Sequence, residues 1–209
     1  MVSDKIGTLI LYGIRHAEVA EDKEGTIRGL LNPKLDAKGR RDAESLVKWF
    51  KDIPLSFIAT DDLERTKQTM WPLAKSKNLT LIIDPELRSW DVGSELEGED
   101  IEKNKAVIAR LKMHPQLVPV GGQSWGNYGG QVDESLNHYA GMALDKNAAG
   151  AIGIHGSYIQ IVAEMLGFNE GDTAYDHTPV DPAGVIGFYM KRDGLLMKIL
   201  KGGKESTDE

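Results

Sequence analysis

The stretch Leu11-Tyr12-Gly13-Ile14-Arg15-His16-Ala17-Glu18 sets an arginine beside a histidine at the point where an apolar run stops. Residues Thr8 to Ile14 are nearly all apolar, the pattern of a strand buried on both faces of a sheet. A strand that ends on a fixed cation next to an imidazole delivers chemistry to a sheet edge. An Arg-His pair alone is weak evidence of a site, so the pattern around it has to decide.

Leu55 to Thr60 and Ala148 to Ile154 are shorter runs of the same kind, and each gives way at once to polar residues. Between the first two strands lies "LDAKGRRDAESLVKWF", where Asp36 is placed to cap a helix whose Ala43, Leu46, Val47 and Phe50 share one face. Arg65 to Ser76 reads as a second helix, with Pro72 as a kink or early stop, and Leu79 to Ile83 as a further strand. From Glu95 to Gln123 the chain is charged and irregular, with a short helix around Ile101 to Met113, and reads as an excursion over the active-site side. Gln131 to Lys146 and Tyr158 to Leu166 read as helices. "VIGFYMKRDGLLMKIL" places two apolar runs around Arg192-Asp193-Gly194, which is a hairpin signal. This alternation predicts an α/β fold: a three-layer α/β/α sandwich with a mostly parallel central sheet, as one domain over residues 1–201, with 202–209 a disordered tail. Ligands of such sheets bind at the carboxyl ends of the strands.

Composition narrows the chemistry. The chain has 209 residues and a formal charge of −7, with a pI near 5.3, which argues against general affinity for nucleic acid or an anionic membrane. Any anion site must therefore be local. Without cysteine there is no disulfide framework, thiolate nucleophile or Cys-based zinc site. The segment "MVSDKIGTLIL" lacks the apolar core of a signal peptide, and no apolar run reaches membrane-spanning length, so a cytoplasmic protein is expected.

If the strands are correct, Arg15 and His16 follow the first, Arg65 lies a few residues past the second, and His155 follows "AIGI". Two guanidiniums and two imidazoles converging on one edge make a pocket for a tetrahedral dianion, because arginine's forked donors match phosphate oxygens in pairs. One imidazole, kept neutral, can attack phosphorus in line while the other groups neutralise charge on the equatorial oxygens. A metal held by His16, His155 and nearby carboxylates is disfavoured, since two arginines in the same pocket repel a cation. No cofactor is expected.

These residues also resemble a family. "RHAEVAEDKEGTIRGLLNPKLDAKG" is similar to the opening signature of the histidine phosphatase superfamily, the phosphoglycerate mutase-like proteins. "ATDDLERTKQTM" resembles its second signature, "GGQSW" its GGES loop, and "IGIHGSYIQIV" its closing strand-His-Gly-helix. By that resemblance His16 is the phosphorylated nucleophile, Arg15 and Arg65 clamp the phosphate, and His155 is the second histidine of the pocket. The activity implied is that of a phosphomonoester hydrolase, with a small phosphorylated substrate as partner. The alternatives are mutase-type phosphoryl transfer and a catalytically weakened phospho-ligand binding protein.

The sequence departs from the family pattern at two positions. In "ELRSWDVG", Ser89 stands where many members carry the glutamate that protonates the leaving oxygen, and serine is too weak an acid for that task. Asp91 is the expected substitute and Glu86 the alternative. Asp22 stands where the family has an asparagine that donates to the phosphoryl group. A carboxylate there turns outward, pairs with an arginine such as Arg28, or serves as the displaced acid. His114, His138 and His177 have no motif around them and read as ordinary surface or loop residues. Oligomeric state is open; a homodimer through a sheet edge is the arrangement such folds offer.

Overall fold

The computed structural model describes residues 7–20, 25–167, 180–191 and 194–203. Strand β1, Thr8–Arg15, is followed by helix α1, Ala37–Trp49. The Asp36 carboxylate caps α1 by accepting from the Gly39 amide at 2.6 Å, satisfying one of the amides that a helix start leaves without a partner. Strand β2, Ile58–Thr60, leads into α2, Glu64–Ser76, then β3, Leu81–Ile83. Helix α3, Ile101–Met113, and α4, Trp125–Asp145, precede β4, Gly150–Ile154, and α5, Gly156–Met165. Strands β5, Val180–Lys191, and β6, Gly194–Gly203, close the fold as a hairpin.

One sheet takes the order β3-β2-β4-β1-β5-β6. The pairs β3–β2, β2–β4 and β4–β1 are parallel, and β1–β5 and β5–β6 are antiparallel. The sheet is mostly parallel, with a hairpin on one edge. Side chains alternate between its faces: Phe57 and Ile152 pack with Tyr128, Val132, Tyr139 and Tyr158 of α4 and α5. Tyr12, Ile58 and Ala151 instead pack with Leu46 of α1, Phe50 just after it, and Met70 and Leu73 of α2. Helices on both faces make the three-layer sandwich that the strand-helix alternation predicts.

The structure corrects several boundaries. The β2 ladder begins at Ile58 rather than Leu55, because the preceding turn spends the Ser56 amide on Ala149 O at 2.9 Å. Helix α4 starts at Trp125, six residues before Gln131, because Ser124 Oγ accepts from the Asn127 amide at 3.1 Å and caps it there. Pro72 neither stops nor shortens α2, which runs on to Ser76. Strand β6 extends to Gly203, past the expected end of the ordered domain, and residues 204–209 lie outside those described.

Candidate active site

Strands β1 and β4 run side by side with Arg15 opposite Ile154. The next residues on each, His16 and His155, therefore emerge together at the carboxyl edge, and their ring centroids lie 5.3 Å apart. The His16 amide donates to Ile154 O at 3.1 Å, carrying the ladder one step past the strand. Behind His16, the Ala17 amide donates to Thr69 Oγ1 at 2.9 Å, which ties this turn to α2. On the other side α1 presses against it at Gly39, where a Cβ would stand 2.0 Å from Glu18 O. The histidine is held from three directions.

Arg65 enters from the first turn of α2 and is 1% exposed. Its guanidinium donates to Leu31 O, to Gly29 O at 3.0 Å and to His155 Nδ1 at 3.3 Å. Arg15 Nη1 donates to Val180 O at 2.6 Å. Burial lowers the Arg65 pKa to about 10, with Asp61 opposing the effect, so the group stays cationic at neutral pH.

Both imidazoles are inside the protein. His16 Nδ1 lies 2.9 Å from Ala17 O, a contact that requires a proton on Nδ1 and leaves Nε2 as the lone-pair nitrogen. Burial, then the charges of Arg65, His155 and Arg15, hold its pKa well below the usual histidine value. It is neutral at pH 7, with a free lone pair on Nε2. The His155 pKa is lowered chiefly by burial, with Asp61 pulling in the opposite direction.

These residues face a cavity of about 150 Å³. Arg15, Arg28, Arg65 and Lys112 line it together with the two histidines, and no aspartate or glutamate among the described residues does. An acidic chain thus carries a locally cationic pocket. Gly156 and Ser157 add the first turn of α5 to the lining, a helix end whose amides favour an anion. Ile27, Trp90, Val92, Ile101 and Ile108 form an apolar wall.

The structure brings together Arg15, His16, Arg65, His155 and Arg28, and it separates them from the two expected acids. Asp91 and Glu86 do not line the cavity. The Asp91 carboxylate turns back to the Gly93 amide at 3.0 Å, while its carbonyl accepts from the Gln123 amide at 2.9 Å. Glu86 is exposed in the 3-10 turn Pro85–Leu87. The GGQSW segment holds this loop rather than lining the cavity: Gly122 packs so closely that a Cβ would sit 2.5 Å from the Gly93 amide nitrogen. Asp22 and His177 lie outside the described residues. Ser89 does line the cavity, its hydroxyl 3.1 Å from that of Ser157.

Sequence reasoning missed Lys112, Gln160 and Asp61. Lys112 donates to Gln160 Oε1 at 2.7 Å and sits 4.7 Å above the Trp125 ring; helix periodicity alone does not place α3 over the cavity. Asp61 had a usable signal, because it follows β2 at the same sheet edge as His16 and His155.

The profile of the histidine phosphatase superfamily (branch 1) matches residues 11–201. The chain belongs to that superfamily. A probable phosphoglycerate mutase GpmB of Enterobacter sp. is 33% identical over 85 residues, or 41% of this chain and 40% of that relative. The match therefore spans well under half of the relative's length. Among solved structures, a mycobacterial glucosyl-3-phosphoglycerate phosphatase superposes with a TM-score of 0.74 at 15% identity, covering 94% of this chain and 100% of that one. The alpha-ribazole phosphatase of Shigella flexneri superposes with a TM-score of 0.70 at 18% identity, covering 91% and 95%. At such identities the superpositions establish the shared fold. The chain thus has the phosphoglycerate mutase-like sandwich, and no helix among its described residues is long and apolar enough to cross a membrane.

Proposed function

We propose that the chain is a cytoplasmic phosphomonoester hydrolase that works through a phosphohistidine on His16. The observation that carries this reading is the state of His16: buried and neutral, with Nδ1 held by Ala17 O, in a cavity that cationic side chains and, among the described residues, no carboxylate line. A phosphoryl dianion enters against Arg15, Arg65 and the first amides of α5. His16 Nε2 attacks phosphorus, the P–O bond to the leaving group breaks, and the guanidiniums offset the charge on the equatorial oxygens. Water then attacks the phosphohistidine, releasing phosphate and restoring His16. Transfer to a second acceptor, the reaction that the relative's name implies, differs only in this last step.

Turnover of a generic aryl phosphate, with and without chelator, tests the reading. Chelator-resistant hydrolysis that falls by at least about 1,000-fold in His16→Ala is expected, since the nucleophile carries the covalent step. Hydrolysis that survives His16→Ala would remove His16 from the chemistry. Exchange of phosphoryl groups between phosphoglycerates at a rate above hydrolysis would favour the mutase.

A further inference from the structure

We propose that Asp61 is a positioning residue that makes His155 the proton carrier of this cavity, in place of the carboxylic acid that none of its described lining residues supplies. The inference rests on the phosphohistidine reading and adds to it the route of the proton. Of the lining side chains, Ser89, Ser157 and Thr26 are too weak as acids, and Arg15, Arg28, Arg65 and Lys112 hold their protons too tightly. His16 is committed to phosphorus. His155 is what remains.

Asp61 lies directly after β2 and is fully buried. Its two carboxylate oxygens have separate tasks. Oδ1 accepts from the Leu63 amide at 2.7 Å and from the Thr66 hydroxyl, which fastens the start of α2. Oδ2 accepts from His155 Nε2. That second bond places the His155 proton on Nε2 and makes Nδ1 the acceptor, consistent with the donation from Arg65 Nη2 at 3.3 Å. The groups facing His155 are thus Asp61, Arg65, Arg15 and His16. Burial and the arginines oppose a charged imidazole, whereas Asp61 favours one. A phosphoryl dianion in the cavity adds a second negative charge on Asp61's side of this balance, so substrate binding itself drives a proton onto Nδ1.

The steps balance. As His16 Nε2 bonds to phosphorus and the ester P–O bond breaks, His155 gives the Nδ1 proton to the departing oxygen, which leaves as an alcohol. His155 is then neutral, keeping its Nε2 proton and donating it to Asp61 Oδ2. In the second step Nδ1 takes a proton from water, whose oxygen bonds to phosphorus as the P–N bond breaks. His16 is regenerated with His155 again charged beside the bound phosphate, and as phosphate leaves His155 returns its Nδ1 proton to solvent. Arg65 Nη2, 3.3 Å from Nδ1, turns to the phosphoryl oxygens when Nδ1 is protonated.

Asp61→Asn separates the two tasks, because its amide oxygen still caps α2 while its NH₂ cannot accept from His155. Two measurements decide the matter. Nitrogen-15 NMR of wild-type His155 reads the tautomer without any variant, and Nε2–H is expected; in Asp61→Asn the Nδ1–H form should rise. In rapid-quench kinetics with an aryl phosphate, whose leaving group needs little protonation, Asp61→Asn should show a burst of phosphohistidine while its steady-state rate falls about 100-fold. With an alkyl phosphate the phosphorylation step itself should slow about 100-fold, and the pH profile should move by about one unit to lower pH. A wild-type His155 carrying its proton on Nδ1 would overturn the proposal. So would an Asp61→Asn protein of unchanged thermal stability whose burst, steady state and pH profile match the wild type. A wild-type enzyme that forms no phosphohistidine overturns the hydrolase reading itself, a result distinct from either of these.

Discussion

His16 shows how little of a residue's chemistry lies in its identity. The residue type and its strand-end position could be read from the run "LYGIRHAE", but not the 2.9 Å contact to Ala17 O that selects its tautomer. Arg15, Arg65 and His155 were legible for the same reason as His16: each follows an apolar run or a helix start that the topology carries to one edge. That Asp91 falls short of the cavity was not legible, because it is placed by a loop whose path depends on the Gly93–Gly122 contact rather than on local pattern. A residue-scale consequence concerns Arg15, half-buried in the cavity wall. Arg15→Ala should lower kcat by about 100- to 1,000-fold, with far-ultraviolet circular dichroism unchanged, since it removes a donor to a charge that grows in the transition state.

At the scale of elements, the site depends on how closely α1 and α2 press on the turn after β1. Asp36 as the α1 cap was legible, since its carboxylate precedes an apolar stripe at helical spacing, and Asp36→Ala should cost about 1 kcal/mol in denaturant titration. Gly39 is more consequential. A Cβ there would meet the Glu18 carbonyl at 2.0 Å, so Gly39→Ala should destabilise the fold by about 1–3 kcal/mol. The same shift moves the His16 turn, and kcat should fall along with Tm; a protein with normal Tm and normal kcat would show that this contact does not hold the turn. The elements that sequence pattern misjudged share a cause. Gly126, Gly129 and Gly130 dilute the helical signal of early α4, which the Ser124 cap and packing of Trp125 and Tyr128 nevertheless secure. Tertiary packing outweighs the single unfavourable residue Pro72 in α2 in the same way.

The whole molecule stores two neutral imidazoles in its interior, and this couples stability to pH. Both histidines have folded-state pKa values below the ordinary value near 6.5. Below about pH 6.5 the unfolded chain binds protons that the folded chain refuses, so stability is full above that value and falls as the pH drops. The expected slope is up to about 1.4 kcal/mol per pH unit for each histidine. Thermal unfolding should give a level Tm from pH 8 to 7 and a declining one toward pH 5.5, with a weaker decline in His16→Gln; a Tm that rises on acidification would contradict buried, neutral histidines. The same architecture gathers Arg15, Arg28, Arg65 and Lys112 around one cavity of a chain of net charge −7, which the composition alone could bound but not locate. The central claim is that this edge makes a covalent phosphoenzyme, and the most direct test is to quench the protein in alkali during turnover of an aryl phosphate and map the modified peptide by mass spectrometry. One alkali-stable, acid-labile phosphoryl group on His16, absent from His16→Ala, is the predicted result; turnover with no phosphoryl group on His16, or with the group on another residue, would contradict it.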